Sequence, residues 1–233
     1  MSKTTIMAVL AAATALTATP ALAGSAEGKI QIKVLGTAVL PDGGISKIKS
    51  INPALASTLT GLGVTDVDSK ANDNVVPTLA IEYFLNKTVS VETICCFTQH
   101  HVNGAADLAG ANLVNHVLIL PATVTAKLHL DTGGPIRPYV GAGPALFVVF
   151  DEKPGDTAKA LGVDRVKMSN SLGAALQAGV DIALGNGGYG LSLDAKKYFI
   201  KPTASFYVGD TKVLETKHDL DPWVISAGVS YRF

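Results

Sequence analysis

The chain has no excess of charge of either sign and contains few aromatic residues. Its 233 residues include 19 Lys or Arg and 19 Asp or Glu, and 6% are aromatic. Nucleic-acid-binding proteins draw their affinity from an excess of basic side chains, so the balanced charge argues against that class. Intrinsic disorder requires low hydrophobicity and high net charge, and neither is present, since 48% of the residues are hydrophobic.

Long hydrophobic runs are also absent. Beyond residue 23 no stretch reaches the roughly 18 apolar residues that a transmembrane helix needs. The mean hydropathy of +0.33 is nevertheless high for a soluble domain. A sequence this apolar without a helix-length run indicates either an apolar soluble core or a membrane β-barrel.

The chain contains only two cysteines, so the sequence indicates no disulfide framework. The two cysteines, Cys95 and Cys96, are neighbours in the sequence. Adjacent residues of a strand point to opposite faces, so these two are poorly placed to form a disulfide, and two cysteines alone cannot make a zinc site. We interpret them as small apolar side chains and expect no metal and no cofactor.

Residues 1–23 have the composition of a secretory signal peptide. Lys3 is their only charge, a weakly apolar run extends from Ile6 to Thr19, and the segment ends on the small residues Ala21 and Ala23. A short N-terminal helix is the alternative interpretation. We expect a signal peptide over residues 1–23 and one mature domain over residues 24–233.

Alternation of apolar and polar residues predicts eight strands in the mature domain. The fourth is the clearest, because alternate residues from Leu118 to Leu130 are apolar while Thr123, Thr125 and Lys127 between them are polar. No helical period of comparable length competes. The predicted strands lie at about 29–38, 76–85, 88–97, 118–130, 136–150, 168–183, 189–200 and 222–233.

The connections between these strands alternate in length. Short turns at 86–87, 131–135 and 185–188 alternate with long segments, including 98–117, 151–167 and 201–221. This pattern predicts an all-β fold, an eight-stranded antiparallel transmembrane β-barrel with short periplasmic turns and long extracellular loops. A secreted soluble β-protein is the alternative. Two loop segments could be helical or plain loop, one capped at Asn52-Pro53 and one over Asp156 to Leu161.

Outward-facing aromatic residues support the barrel, because they fall at the ends of the strands, as the aromatic girdles of membrane barrels do. They are Tyr83, Tyr189, Tyr231 and Phe233 at the lower ends and Phe97, Phe150, Phe199 and Trp223 at the upper ends. Pro144 removes a ladder donor within the fifth strand and predicts a bulge or local opening there.

Three segments resemble a known family. They are Arg137–Gly143, Gly173–Asp181 and the C-terminal stretch Leu220–Phe233, which contains Leu-Asp-Pro-Trp and ends in Ser-Tyr-Arg-Phe. Together they resemble the OmpW family, which includes AlkL-type alkane importers, over about residues 119–233. The resemblance implies a narrow eight-stranded barrel that helps small hydrophobic molecules cross the outer membrane of a bacterial cell. The last strand also resembles the assembly signal read by the barrel assembly machinery, through Ser226, Gly228, Tyr231 and Phe233. An ordinary amphipathic strand is the alternative.

Sorting the inward-facing residues by height divides the lumen into two parts. Buried charges must be paired, so we expect a salt-bridged plug in the lower and middle lumen. The upper lumen is apolar and predicts a channel-lining pocket for a hydrophobic ligand, although small barrels also simply pack what fits. The plug residues are Lys33, Glu82, Glu92, Lys127, His129, Arg137, Asp181, Asp194, Lys196 and Arg232. The pocket residues are Leu35, Ile94, Ile119, Phe147, Val149, Tyr198 and Val224.

These features predict a passive transporter. It captures apolar solutes from the external medium in its upper lumen, which lies above the charged plug. Exit through a gap in the wall into the membrane follows from the family resemblance, and Pro144 with Gly141 and Gly143 is the candidate gap. The expected partners are outer-membrane lipid, small hydrophobic solutes and the assembly machinery, and no nucleic acid. A structural or adhesive barrel is the alternative function.

A lipid-modifying barrel enzyme is the less favoured alternative, because the sequence indicates no Ser–His pair within hydrogen-bonding reach. Four histidines, His100, His101, His116 and His218, fall in predicted external loops. We expect them to be solvated. Opportunistic metal binding by the first three with Asp107 is the alternative.

Overall fold

The structure is a computed structural model that describes residues 27–233, so the signal peptide expected at 1–23 lies outside the described residues. In this part of the chain no helix is long and apolar enough to cross a membrane. The elements, in chain order, are β1 (Ile30–Leu40), β2 (Ile45–Ile51), α1 (Pro53–Gly61), β3 (Val67–Ala71), β4 (Asn74–Phe84), β5 (Val89–Cys95), β6 (Thr98–Ala106), β7 (Asn112–His129), β8 (Ile136–Pro154), α2 (Asp156–Ala160), β9 (Arg165–Met168), β10 (Ser171–Ala183), β11 (Tyr189–Phe199), β12 (Thr203–Val208), β13 (Thr211–His218) and β14 (Trp223–Arg232).

Eight antiparallel strands form a closed barrel, as predicted. Going around it they are β1, β4, β5 with its continuation β6, β7, β8, β10, β11 and β14. The first and last strands pair over ten residues, from Gln31 opposite Arg232 to Leu40 opposite Trp223, which closes the sheet and leaves no free edge. At one end the strands are joined by short turns, and in the first of these Asn86 Oδ1 accepts hydrogen bonds from the backbone N–H groups of Thr88 and Val89.

The two faces of the barrel have opposite chemistry. Along β4 and the lower half of β7 each residue that faces the lumen is buried and each that faces outward is exposed. The outward set is apolar: Val124, Leu176 and Leu193 are 48%, 54% and 50% exposed. Aromatic side chains lie near both ends, where the ring centroids of Tyr189 and Tyr231 are 4.8 Å apart and those of Phe97 and Phe150 are 6.1 Å apart. This is the outer surface that a bilayer requires.

The long connections fold into an ordered layer above the barrel, which sequence periodicity did not predict. A second sheet of four strands, in the order β2-β13-β12-β9, covers the upper end. Strands β6, β7 and β8 also project beyond the barrel, so the loops expected at 98–117 and 151–167 consist partly of strand. Helix α1 begins as predicted, with Asn52 Oδ1 accepting from Ala54 N at 2.9 Å, and α2 occupies the second predicted helical segment.

Of the two outcomes predicted at Pro144, a bulge or a local opening, the bulge is wrong. Strand β8 keeps one uniform register with β10 from Ile136 to Phe147, and its register with β7 is the same above and below Pro144. The neighbouring Gly143 explains the close packing, since a Cβ added there would lie 1.9 Å from the carbonyl oxygen of Val124. The backbones therefore approach each other at this point, but the ladder to β7 lapses beside Pro144, with no pair between Thr123 opposite Ala145 and Ala126 opposite Ala142.

Candidate functional site

A network of buried ion pairs fills the middle of the lumen. Glu92 lies at its centre and accepts from three ammonium groups, Lys33 at 3.1 Å, Lys127 at 2.9 Å and Lys196 at 3.1 Å. Lys33 and Lys127 also contact Glu82, each at 2.8 Å. The side chains of these five residues are at most 3% exposed. Six strands of the barrel contribute to the network once Asp181 and Asp194 are included, so it spans the lumen from wall to wall.

Two members of the network were missed from the sequence. Gln177 donates to Glu92 at 2.8 Å and to Asp194 at 2.6 Å. Tyr139 donates to Asp194 at 2.8 Å, and the Lys127 ammonium lies 3.6 Å from the centre of its ring. Both residues face inward in the predicted register, but an uncharged amide and a motif tyrosine carry no signal that marks them as partners of buried charges.

The two arginines assigned to the plug lie at the periplasmic mouth, below the network. Arg137 pairs with Glu27 at 3.2 Å. Arg232 donates to the carbonyl of Gly28 at 2.6 Å, and its guanidinium lies 3.5 Å from the centre of the Phe84 ring. These contacts fasten the start of the described chain to the lower rim of the barrel.

The expectation that no Ser–His pair would form is also wrong, because Ser90 Oγ lies 2.8 Å from His129 Nε2 inside the barrel. Both groups contact the same carboxylate oxygen of Glu82, at 2.5 Å and 2.8 Å. In a catalytic triad the histidine joins serine and carboxylate through different ring nitrogens, so this arrangement is not of that type. Ser90 is fully buried.

Among residues 27–233 one group of side chains has the spacing of metal ligands. It consists of Glu82, His129 and Asp181, whose ligand atoms lie within 4.8 Å of one another. The ammonium of Lys33 contacts both carboxylates, at 2.8 Å and 3.2 Å, so a protein cation already stands between them. His100, His101, His116 and Asp107 are not brought together in such a group.

Above the network the lumen contains an apolar cavity, here called the barrel cavity, that encloses about 770 Å³ of space, its mouth included. Six of the seven predicted pocket residues line it, and Val149 packs behind it. The six are Leu35, Ile94, Ile119, Phe147, Tyr198 and Val224. Lys196, a member of the network, lies at its floor.

A second apolar cavity, here called the outer cavity, lies in the extracellular layer and was not predicted. It encloses about 1010 Å³, and its lining includes Leu59 of α1, Ala158 of α2 and Phe206 of β12. The two cavities are adjacent, since they share four lining residues: Ala71, Val102, Met168 and Leu220. The loops that build the outer cavity are far apart in sequence, which is why periodicity alone could not reveal it.

The barrel wall is interrupted beside the barrel cavity, between β5 and β6. On one side the ladder to β7 stops at Ile94 opposite Thr123 and resumes at Thr98 opposite Ile119. In this register Cys96 falls opposite Pro121, which has no N–H to donate. On the other side the ladder to β4 ends at Leu79 opposite Cys95, so Phe97 falls opposite Pro77, another residue without a donor.

Of the four histidines predicted to be solvated, His100 is buried and the other three are half-buried. His100 is 3% exposed, with Nε2 2.9 Å from Thr98 Oγ1 and Nδ1 2.8 Å from the carbonyl of Asn72. Nε2 of His218 lies 2.8 Å from Thr216 Oγ1, and burial lowers the pKa of His218, which Asp68 opposes weakly. The carboxylate of Asp107 accepts from the backbone of Asp66 and from Thr65, which lowers the pKa of Asp107 and anchors a turn.

Comparison with known proteins agrees with this architecture. An outer-membrane protein of Sinorhizobium fredii, y4mB, is 32% identical over 92% of this chain and 85% of its own length. The dibenzothiophene metabolism operon protein PahQ of Pseudomonas aeruginosa is 28% identical over 75% of this chain and 79% of its own length.

Two solved structures share the fold. OprG of Pseudomonas aeruginosa matches with a TM-score of 0.74 at 24% identity, covering 91% of this chain and 99% of OprG. AlkL, solved in lipid bilayers, matches with a TM-score of 0.67 at 22% identity, covering 93% of this chain and 95% of AlkL. The sequence model of the OmpW family matches residues 26–233. The chain is an outer-membrane β-barrel and belongs to the OmpW family.

Proposed function

We propose that the protein admits small hydrophobic molecules from the external medium and releases them sideways into the outer membrane. The observation that carries the proposal is the apolar path through the outer and barrel cavities, which ends at a charged floor beside an interruption in the wall. The protein acts as a passive conduit in this proposal and not as an enzyme.

Capture is driven by burial of apolar surface. A hydrophobic solute gains about 25 cal/mol for each Å² that leaves water, and the outer cavity offers it aliphatic and aromatic neighbours such as Leu55, Leu161 and Phe206. The lining shared by the two cavities lets the solute move inward without re-exposure to water. The polar outer leaflet, which a hydrophobic molecule crosses slowly, is bypassed.

The ion-pair network serves as the plug of the lumen. A solute that reaches the floor would have to separate Lys196 from Glu92 and Asp194 to continue, and these contacts are 3.1 Å and 2.7 Å long. Leaving buried charges unpaired in this way costs several kcal/mol. An apolar solute cannot offset this cost, because it makes no hydrogen bond or ion pair with the separated groups. Straight passage into the periplasm is therefore closed.

Sideways release requires a point where the backbone ladder is already open. Cys96 and Pro121 line the barrel cavity, while Phe97 is 57% exposed on the outer face, so the interruption joins the cavity to the lipid side of the wall. The ladder between β7 and β8 also lapses at Gly143 and Pro144, but neither residue lines the barrel cavity, which favours the position at Cys96 and Pro121. The name of PahQ associates that relative with dibenzothiophene metabolism. Dibenzothiophene is a small apolar aromatic compound, and this association supports small hydrophobic molecules as the ligand class here.

The test is uptake of an apolar probe by cells or vesicles that contain the protein. Ile94→Asp or Phe147→Asp places an unpaired carboxylate in the barrel cavity, and we expect uptake to fall at least tenfold, because the charge repels both solute and apolar neighbours. Val208→Asp adds the same charge at an exposed site outside both cavities and is the matched control.

Folding of each variant is checked by the heat-dependent shift of its band on a denaturing gel. Unchanged uptake in folded Ile94→Asp and Phe147→Asp would reject the proposal. It would favour the alternative of a structural or adhesive barrel.

A further inference from the structure

The barrel cavity is apolar along its walls but contains two unused hydrogen-bond donors. Thr78 lies on β4, is 5% exposed and faces the cavity. Among residues 27–233 its hydroxyl makes no hydrogen bond of normal geometry. Its neighbour is the thiol of Cys96, which is only a weak partner. A buried hydroxyl without a partner carries a desolvation cost that a ligand oxygen could remove.

The second donor belongs to Lys196. Its ammonium has three N–H groups, and the hydrogen bonds found within the described chain use two of them, to Glu92 at 3.1 Å and to Asp194 at 2.7 Å. Lys196 also lines the barrel cavity. The two donors therefore open onto the same cavity.

The other hydroxyl groups of the cavity are already paired. Thr37 Oγ1 lies 2.8 Å from Ser226 Oγ, and Thr98 Oγ1 lies 2.9 Å from His100 Nε2. Tyr198 OH lies 3.3 Å from Thr123 Oγ1. The unused donors found in the cavity are thus those of Thr78 and Lys196.

The charge around Lys196 decides which oxygen fits. Two carboxylates, Glu92 and Asp194, already touch its ammonium, and the network as a whole contains four carboxylates against three lysines. A further anion would be repelled by these carboxylates at close range in a site with little water. An uncharged acceptor, such as a ketone, ester or hydroxyl oxygen, gains the hydrogen bonds without that repulsion.

We propose that the barrel cavity selects neutral amphiphiles, molecules with an apolar body and one hydrogen-bond-accepting oxygen that docks on Thr78 and Lys196. This inference rests on the proposed function and narrows its substrate class. A pure hydrocarbon fills the apolar walls but leaves both donors unpaired, whereas a carboxylate meets the surplus of negative charge.

The experiment compares three eight-carbon probes, octane, 2-octanone and octanoate, for binding to the full chain in lipid nanodiscs. Binding is measured by displacement of a fluorescent apolar dye, with empty nanodiscs subtracted. We expect 2-octanone to bind at least fivefold more tightly than octane and octanoate to bind most weakly.

Thr78→Val removes the hydroxyl at nearly constant volume. We expect it to weaken 2-octanone binding about five- to tenfold, the size of one hydrogen bond, and to leave octane binding within twofold. The carbonyl stretching band of bound 2-octanone should move to higher wavenumber in this variant. The matched control, Thr93→Val, removes an outward-facing hydroxyl of β5 that already donates to the carbonyl of Thr123, and it should leave the preference for 2-octanone unchanged.

An equal affinity for octane and 2-octanone, or a preference for octanoate, would overturn this inference and leave the proposed function standing. The same holds if Thr78→Val keeps the full preference for 2-octanone. Absence of binding by all three probes to folded protein would overturn the proposed function as well.

Discussion

Cys96 lies opposite Pro121 across two neighbouring strands of the barrel, and no backbone ladder joins the strands at that point. The ladder is intact immediately below, at Ile94 and Thr123, and immediately above, at Thr98 and Ile119. A second proline, Pro77, falls opposite Phe97 on the other side. Proline supplies no N–H donor, so the backbone ladder is interrupted where three strands meet beside the barrel cavity.

The outward face of the barrel should tolerate charge much less than the lumen does. Leu176→Arg places a cation at a lipid-facing site that is 54% exposed, and we expect it to lower the free energy of unfolding by about 2–4 kcal/mol. The adjacent Gln177→Lys points inward, where Glu92 and Asp194 lie within hydrogen-bonding distance of the native side chain, and should cost clearly less. Urea titration of both variants in lipid vesicles measures the difference, and equal losses would contradict the assigned faces.

Removing the central carboxylate of the network should be strongly destabilising. Glu92→Gln leaves three buried lysines without their common partner, and we expect a loss of about 3–5 kcal/mol in the free energy of unfolding. Lys159→Ala breaks an exposed pair with Asp156 in the extracellular layer and should change stability little. The result that would argue against a tightly paired plug is a Glu92 variant as stable as the Lys159 variant.

Acid should loosen the extracellular layer before it affects the barrel. Burial lowers the pKa of His218 below its ordinary value of 6.5, so at acidic pH the unfolded segment binds a proton that the folded segment rejects. The stability that neutral His218 contributes is therefore complete above about pH 6.5 and declines as the pH falls below that value. Hydrogen exchange of the β13 amides measures this opening. In His218→Gln the acid-induced increase in exchange should be smaller, and an identical pH profile would exclude His218 as the cause.

The C-terminal aromatic residue should matter for assembly. Phe233 exchanges two backbone hydrogen bonds with Ile30, at 2.8 Å and 2.9 Å, and its ring lies 5.9 Å from that of Tyr231 on the outer face. If Ser226, Gly228, Tyr231 and Phe233 act as an assembly signal, Phe233→Ala should lower the amount of protein in the outer membrane while the backbone pairing remains possible. Quantitative blotting of membrane fractions measures this, with Leu193→Ala as an outward-facing control. Equal amounts of both variants would remove the assembly argument.

Much of the barrel could be predicted from the sequence, because a strand with one face in lipid repeats its chemistry every second residue. That period placed Leu35 and Phe147 on the cavity wall and Lys33 and Glu92 among the buried charges. Individual partners could not be predicted, since they depend on how eight strands are staggered around the barrel. For this reason the contacts of Gln177 and Tyr139 with the buried charges could not be predicted from the sequence.

The gap in the wall could be located only when the register between neighbouring strands was known. Pro144 lies within the fifth predicted strand, and Gly143 beside it lets β7 approach closely there. Pro77 and Pro121 are 44 residues apart in the sequence and only flank Cys96 and Phe97 once the strands are aligned. The outer cavity was likewise hidden, because it is built from loops whose side chains follow no single period.

The most direct test of sideways release is a disulfide that closes the gap. Pro121→Cys in a Cys95→Ser background places two thiols on directly opposed residues of antiparallel strands, a spacing that a disulfide can bridge. We predict that the oxidised protein still binds an apolar probe but loses at least nine-tenths of its uptake into vesicles, and that a reductant restores uptake. The same variant with Cys96→Ser cannot form the bond and should not respond to oxidation. Full uptake by the oxidised, cross-linked barrel would contradict release between these strands.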